Sequence, residues 1–212
     1  MSPTASPLHV IQEEIRRCTL CVIAGHIQAA APILRGNQSA RVMVIGQAPG
    51  PTAAERPWPY SGASGKTLQA WLARAGFEDD ALHDPDRFYL TSLTKCFPGK
   101  ASSGAGDRAP RRAEIELCSA HLDIELHTVK PELILSLGRL SMNRLVPSTR
   151  KMSLYDVVGS ARPAEYPAAG NALVLGLPHP SGVSRWLNIE ENRARLHTAL
   201  DWLNTERQVR GW

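Results

Sequence analysis

The four cysteines are the residues best suited to unusual chemistry. Cys18 and Cys21 form a C-x-x-C pair, while Cys96 and Cys118 stand apart further along. Four thiolates make a set that can hold zinc or an iron–sulfur cluster, and their spacing does not choose between the two. The plain alternative is four buried free thiols. A second concentration of chemistry lies in Val44 to Gly62, V-I-G-Q-A-P-G-P-T-A-A-E-R-P-W-P-Y-S-G. Gln47, Glu55, Arg56, Trp58 and Tyr60 offer amide, charge and aromatic faces there, without the Gly-Lys-Ser/Thr ending of a phosphate-binding P-loop. The bland reading of this stretch is a surface connection stiffened by proline, but a loop of this length in a compact domain is more often functional. A third group is Pro178-His179-Pro180-Ser181-Gly182. Prolines on both sides of His179 fix its direction, and its imidazole can donate or accept near neutral pH.

The surrounding elements must position these groups. The apolar run Val42–Ile45 is a buried strand ending at Gly46, and a rigid loop at the C-terminal end of a strand is where open α/β folds build sites. Helical spacing covers Leu8–Arg17, Lys66–Ala75 (stopped by Gly76), Arg111–Val129 (opened by Pro110), Leu140–Leu145 and Ile189–Leu203. Further strands are expected at Phe88–Ser92, Glu132–Leu137 and Ala172–Leu177, with a small edge strand near Tyr155–Val158. Ala24–Gln38 shows no period. Strands alternating with helices indicate a mostly parallel sheet covered on both faces. Its C-terminal edge would gather the exits at 46–62, Ser92 and 178–188 into one pocket.

The 212 residues, with 43% hydrophobic and 21% charged, suit a single globular α/β domain over 1–212 and argue against disorder. No apolar run is long enough to cross a bilayer. Met1–Val10 lacks the pattern of a secretory signal, so a cytoplasmic location is expected, where disulfides are disfavoured. A net charge of +4 suits a polyanionic partner but is weak evidence by itself.

Taken in order, C-x-x-C, G-Q-A-P-G, P-Y-S-G-x-S-G, Y-L-T-S-x-x-K-C, a later Cys after E-I, a strand ending L-G, and H-P-S resemble the iron–sulfur uracil-DNA glycosylases, the family-4 and family-5 branches of their superfamily. The match runs from Cys18 to about Asn188. The resemblance implies a three-layer α/β/α sandwich around a central parallel four-stranded sheet. It implies a 4Fe-4S cluster on Cys18, Cys21, Cys96 and Cys118, and a monofunctional hydrolase that flips uracil out of DNA and cleaves its N-glycosidic bond. His179 matches the histidine that donates to uracil O2, and Tyr60 the aromatic that stacks on the flipped base, an interaction worth about 1–3 kcal/mol per base. Gln47 is taken as catalytic with His179; Gly46, Gln47, Ala48 and Ser92 join Tyr60 and His179 in holding the base. Ser61, Ser64, Lys66 and Ser181 are candidate phosphate clamps. In the loop after His179, Val183, Arg185 or Trp186 is the wedge that fills the vacated stack, and Arg185 can also bind phosphate. Lys100, Arg108, Arg111 and Arg112 are either a further DNA contact or a solvated charged face. The expected partner is uracil-containing DNA, single- or double-stranded, bound by a monomer.

The chain also departs from the family pattern. Gln47 replaces the glutamate of G-E-A-P-G. Ala48 stands where better-known uracil glycosylases carry a water-positioning aspartate, and Ser92 stands where an asparagine normally reads the uracil edge. A serine makes fewer contacts, so weaker discrimination against cytosine and a wider range of deaminated bases, such as hypoxanthine or xanthine, are expected. Gly99–Ala113 has no histidine, which argues against covalent capture of the sugar. A non-catalytic iron–sulfur nucleic-acid-binding protein is the alternative on the same scaffold, and a zinc-containing hydrolase is a third.

Overall fold

The computed structural model of the chain describes residues 6–53, 58–102, 106–181 and 185–212. Five strands form one sheet: β1 (Val42–Gly46), β2 (Phe88–Ser92), β3 (Leu133–Leu137), β4 (Ala161–Pro163) and β5 (Leu173–Leu177). Their order is β2-β1-β3-β5-β4. The first four are parallel and β4 runs antiparallel to β5. The expected parallel four-stranded sheet is therefore present, with one short edge strand added. That edge strand does not lie at Tyr155–Val158. Ser153 accepts from the Asp156 amide and Asp156 accepts from the Ser153 amide, a capping box that starts a helical turn at Leu154 and moves the strand downstream.

The helices among the described residues are α1 (Pro7–Arg16), α2 (Leu20–Ile23), α3 (Ala63–Arg74), α4 (Arg112–Val129), α5 (Arg139–Leu145), α6 (Leu154–Val157) and α7 (Glu190–Arg210). Successive strand residues point to opposite faces, which divides the core in two. Val42, Val44, Phe88, Leu90 and Leu135 pack under α3 and α7. Met43, Ile45, Tyr89, Ile134 and Val174 pack against α1, α4 and α5. The result is a three-layer α/β/α sandwich. Between β1 and β2 the chain crosses one face through α3; between β2 and β3 it crosses the other through α4. The loops leaving β1 and β3 therefore part in opposite directions and open a crevice above the strand ends.

The aperiodic segment 24–38 has a structural task. The amide of Ile33 donates to the Lys95 carbonyl, and Arg35 and Leu90 exchange backbone hydrogen bonds, which covers the outer edge of β2. Gly36 makes this approach possible, because a Cβ there would lie 2.6 Å from Tyr89 Cα. The last helix runs beyond the expected Leu203 to Arg210. Its final turns are polar and carry no apolar period. They are held by Arg207 donating to the Ala75 carbonyl, by the Arg210–Glu206 pair and by Gly211 in the left-handed region.

Candidate active site and thiol cavity

The C-terminal edge of the sheet carries a cleft of about 660 Å³. The exits of all four parallel strands contribute: Gly46–Thr52 after β1, Ser92 at the end of β2, Gly138–Leu140 after β3, and His179 and Ser181 after β5. The β1 and β2 exits are tied together, since Leu93 N donates to Gly46 O and Thr94 N to Gln47 O. The register pairs Gly46 with Ser92, so these two residues lie side by side on the cleft floor.

Tyr60 is held in a costly conformation. Its φ of 59° lies in the left-handed region, which disfavours a side chain of this size by about 1–2 kcal/mol. Two glycines make the arrangement possible. A Cβ on Gly65 would fall 1.6 Å from the Tyr60 carbonyl oxygen, and a Cβ on Gly46 would fall 2.7 Å from the Tyr60 hydroxyl. The glycines of G-Q-A-P-G and P-Y-S-G-x-S-G thus make room for one aromatic side chain. Burial pushes the Tyr60 phenol well above its ordinary pKa, so the group stays neutral.

His179 is also set up as a neutral group. Burial lowers its pKa, which favours uncharged imidazole at neutral pH. The Ser181 amide donates to His179 Nδ1 at 3.3 Å. Nδ1 is therefore the acceptor, and the ring proton sits on Nε2, where it can be donated. Gly138, at φ 84°, lets the β3 exit pass the ring closely, since a Cβ there would already touch His179 Cβ at 3.4 Å. The buried Ser92 hydroxyl donates to the Thr94 carbonyl at 2.8 Å. With its proton committed, Ser92 faces the cleft as an acceptor. A flat ligand in this cleft would meet an aromatic face, a neutral N–H donor and a hydroxyl acceptor.

The other expected contacts divide. Gln47, Ala48, Ser61, Ser64 and Ser181 line the cleft. The Ser61 hydroxyl is buried and has no partner among the described residues. Lys66 is exposed on the first turns of α3, outside the lining, and Arg185 is exposed on a short turn before α7. Trp186 packs against the α3/α7 core. Val183, Glu55 and Arg56 lie outside the described residues. Trp58 is exposed, with the Arg35 guanidinium 3.3 Å above its ring. The basic loop is largely neutralised from within: Lys100 pairs with Asp107, Arg108 with Glu114 and Arg112 with Glu116. Asp107 and Arg139 also line the cleft, and sequence reasoning missed both. Only the L-G ending of β3 hinted at Arg139; nothing in the spacing marked Asp107.

The four cysteines converge. Cys18 and Cys21 come from the α1–α2 corner, Cys96 from beyond β2 and Cys118 from α4, and all four line one cavity with Lys95, Glu114 and His121. Pro98 lines both this cavity and the cleft. Burial first, and then the neighbouring thiols, pushes Cys21 and Cys96 up to about 11. Without a cationic partner these groups stay protonated. The walls are braced by an ion pair within the core. Lys95 Nζ lies 2.5 Å from Glu125, and both side chains are essentially inaccessible to water. Tyr89 and Thr91 donate to the same carboxylate. Lys95 adjoins Cys96, and Glu125 lies two helical turns beyond Cys118, so the pair fixes one thiol-bearing segment against the other. Among the described residues, no group of three or more His, Cys, Asp or Glu is drawn tightly enough to hold a single metal ion. His121 Nε2 is buried at this cavity and has no partner among the described residues. Four thiols around one cavity are a donor set that suits a thiolate-bound metal group.

The fold and the cleft define an α/β protein that can enclose a planar base at the C-terminal edge of a parallel sheet. The chain belongs to the uracil DNA glycosylase superfamily, whose sequence profile matches residues 34–204. Among curated relatives, the type-4 uracil-DNA glycosylase of Pyrobaculum aerophilum is 28% identical over 180 residues, covering 84% of this chain and 85% of that protein. The type-4 uracil-DNA glycosylase of Saccharolobus solfataricus is 32% identical over 156 residues, 73% of this chain and 65% of that protein. The Thermotoga maritima protein of the same description is 24% identical over 179 residues, 84% and 83% of the two chains.

Proposed function

We propose that this protein is a type-4-like uracil-DNA glycosylase that flips uracil from DNA, hydrolyses its N-glycosidic bond and so starts base excision repair. The observation that carries this reading is the presence in one cleft of Tyr60 and a neutral His179 whose Nε2 holds the proton. Cleavage leaves negative charge on the uracil oxygens, and a positioned donor that strengthens its bond as that charge develops accelerates the step. Tyr60 stacks on the base, and the Gln47 and Ala48 amides complete the pocket wall. The Ser92 acceptor suits uracil N3–H and disfavours cytosine, whose N3 is itself an acceptor. This makes discrimination against cytosine stronger than the loss of an asparagine alone suggests. Ser61, Ser64 and Ser181 at the cleft wall contact the DNA backbone.

The fit of the thiol cavity supports a 4Fe-4S cluster held by Cys18, Cys21, Cys96 and Cys118. When bound, the cluster would cross-link the N-terminal corner, the β2 exit and α4, a structural service to the adjacent cleft. A reducing cytoplasm suits four unpaired thiols. The protein acts as a monomer on single- or double-stranded DNA.

The test is base release from otherwise identical oligonucleotides bearing uracil, hypoxanthine, xanthine or cytosine, with iron and acid-labile sulfide measured on the same preparation. Release of uracil without cytosine is expected. Binding of all four without release of any would leave a non-catalytic DNA-binding protein instead.

A further inference from the structure

Hydrolysis of the glycosidic bond needs a water held at C1′. Gln47 and Ala48 supply no carboxylate at the β1 exit, and Glu55 further along that loop lies outside the described residues. Asp107 is the one acidic side chain among the described residues that line the cleft. It comes from the segment between β2 and α4, on the wall that also carries Pro98 and Arg108.

Asp107 has defined partners on both sides. Ala101 N donates to Gly106 O and Arg108 N to Gly99 O, an antiparallel bridge with Lys100 opposite Asp107. Lys100 Nζ bonds Asp107 Oδ1 at 2.7 Å. The next residue, Arg108, grips Glu114 at the start of α4 through two bonds of 2.6 and 2.7 Å and donates to the His26 carbonyl. Glu114 in turn accepts from the Arg111 amide. Asp107 is therefore tied to Lys100 on one side and followed by the Arg108–Glu114 anchor on the other, and its side chain is 37% exposed, open to the solvent that supplies the nucleophile. Two other polar groups of the cleft are already committed: His179 Nδ1 to the Ser181 amide and the Ser92 proton to Thr94.

We propose that Asp107 is the carboxylate that orients and deprotonates the attacking water. This rests on the uracil-excision reading above. The bond between C1′ and uracil N1 breaks, and its electron pair leaves with the uracil anion, which His179 Nε2–H stabilises. The water oxygen bonds to C1′, and its proton passes to the Asp107 carboxylate and then to solvent. No oxidant, reductant or further reactant enters.

The test is single-turnover uracil release by the full chain carrying its cluster, as wild type, Asp107→Asn and Asp107→Ala. Binding of a duplex with non-cleavable 2′-fluoro-deoxyuridine is measured in parallel. A general base contributes about 10²–10⁴-fold, so both variants should release uracil at least about 100-fold more slowly while binding within about threefold of wild type. Added formate, which can enter the space vacated in Asp107→Ala, should restore the rate about tenfold or more and leave Asp107→Asn unchanged. Asp107→Asn working within threefold of wild type would overturn the proposal. So would a loss of binding that accounts for the whole loss of rate, or an absence of formate rescue. Failure of the wild type to release uracil would instead strike the excision reading itself.

Discussion

The contact between Gly46 and Tyr60 gives a sharp prediction. In Gly46→Ala the new Cβ would sit 2.7 Å from the Tyr60 hydroxyl oxygen, well inside the 3.4 Å at which ordinary contact begins. The ring must retreat by about 0.7 Å, and misplacing a positioning group by about 1 Å costs on the order of 10²-fold in rate. Gly46→Ala should therefore lose about 10- to 100-fold in single-turnover uracil release. The atom displaced is the far end of a side chain, so the stability cost should stay near 1 kcal/mol. Removing the hydroxyl relieves the clash, because the next nearest ring atom, Cζ, is 3.7 Å away. Tyr60→Phe keeps the stacking face, and the double variant Gly46→Ala/Tyr60→Phe should return to within about threefold of Tyr60→Phe alone, a large coupling between two touching residues. Release rates and thermal melts of the four proteins complete the cycle. Full activity in Gly46→Ala, or a double variant no better than Gly46→Ala, would show that the Tyr60 ring is not a working wall of the pocket.

Three further perturbations follow from the same geometry. His179→Ala removes the donor to the leaving base and should slow release by about 10²–10³-fold, measured in single turnover with DNA binding as the control. Because burial lowers the His179 pKa, the folded protein binds this proton less readily than the unfolded chain. Its neutral form is accommodated fully above the ordinary histidine range, and stability falls as pH drops from there through the folded value. Urea melts from pH 7.5 to 5 should accordingly show a shallower decline in His179→Gln than in wild type. Lys95→Met takes from the buried Glu125 carboxylate its only paired cation among the described residues, which should cost roughly 3–5 kcal/mol, whereas Lys95→Met/Glu125→Leu should recover much of it in the same melts. Cys118→Ser should lower iron and acid-labile sulfide per chain and loosen the adjacent cleft, read as a lower melting temperature together with weaker DNA binding.

β1, β3 and β5 were legible as apolar runs that end at glycine or proline, and β2 as a short run of aromatic and β-branched residues. Their alternation with helices then set the layers. The edge strand was misplaced because a capping box at Ser153–Asp156 outweighs the β-branched residues that follow it. The end of α7 was cut short because side-chain bonds, rather than an apolar stripe, sustain its last turns. In the site, residues tied to strand ends were readable. Gly46, Ser92 and His179 lie where the chain leaves the sheet, and register brings them together. Asp107 was not readable, because a loop segment remote from any strand end reaches the cleft through the Lys100–Asp107 bridge and the Arg108–Glu114 anchor. The pairing of the basic loop was hidden for a related reason: sequence counts its cations but does not show that Lys100, Arg108 and Arg112 pair with Asp107, Glu114 and Glu116. The left-handed backbone at Tyr60 was likewise invisible, although the two glycines that make room for it stood in plain view.

The most direct measurement is the quantity of free uracil released from an oligonucleotide with a single deoxyuridine, by wild type and His179→Ala side by side. The account predicts one free uracil for each abasic site formed by the wild type, and a rate lower by about 10²-fold or more in the variant. Uracil release by His179→Ala at the wild-type rate, or bound DNA that keeps its uracil throughout, would contradict it.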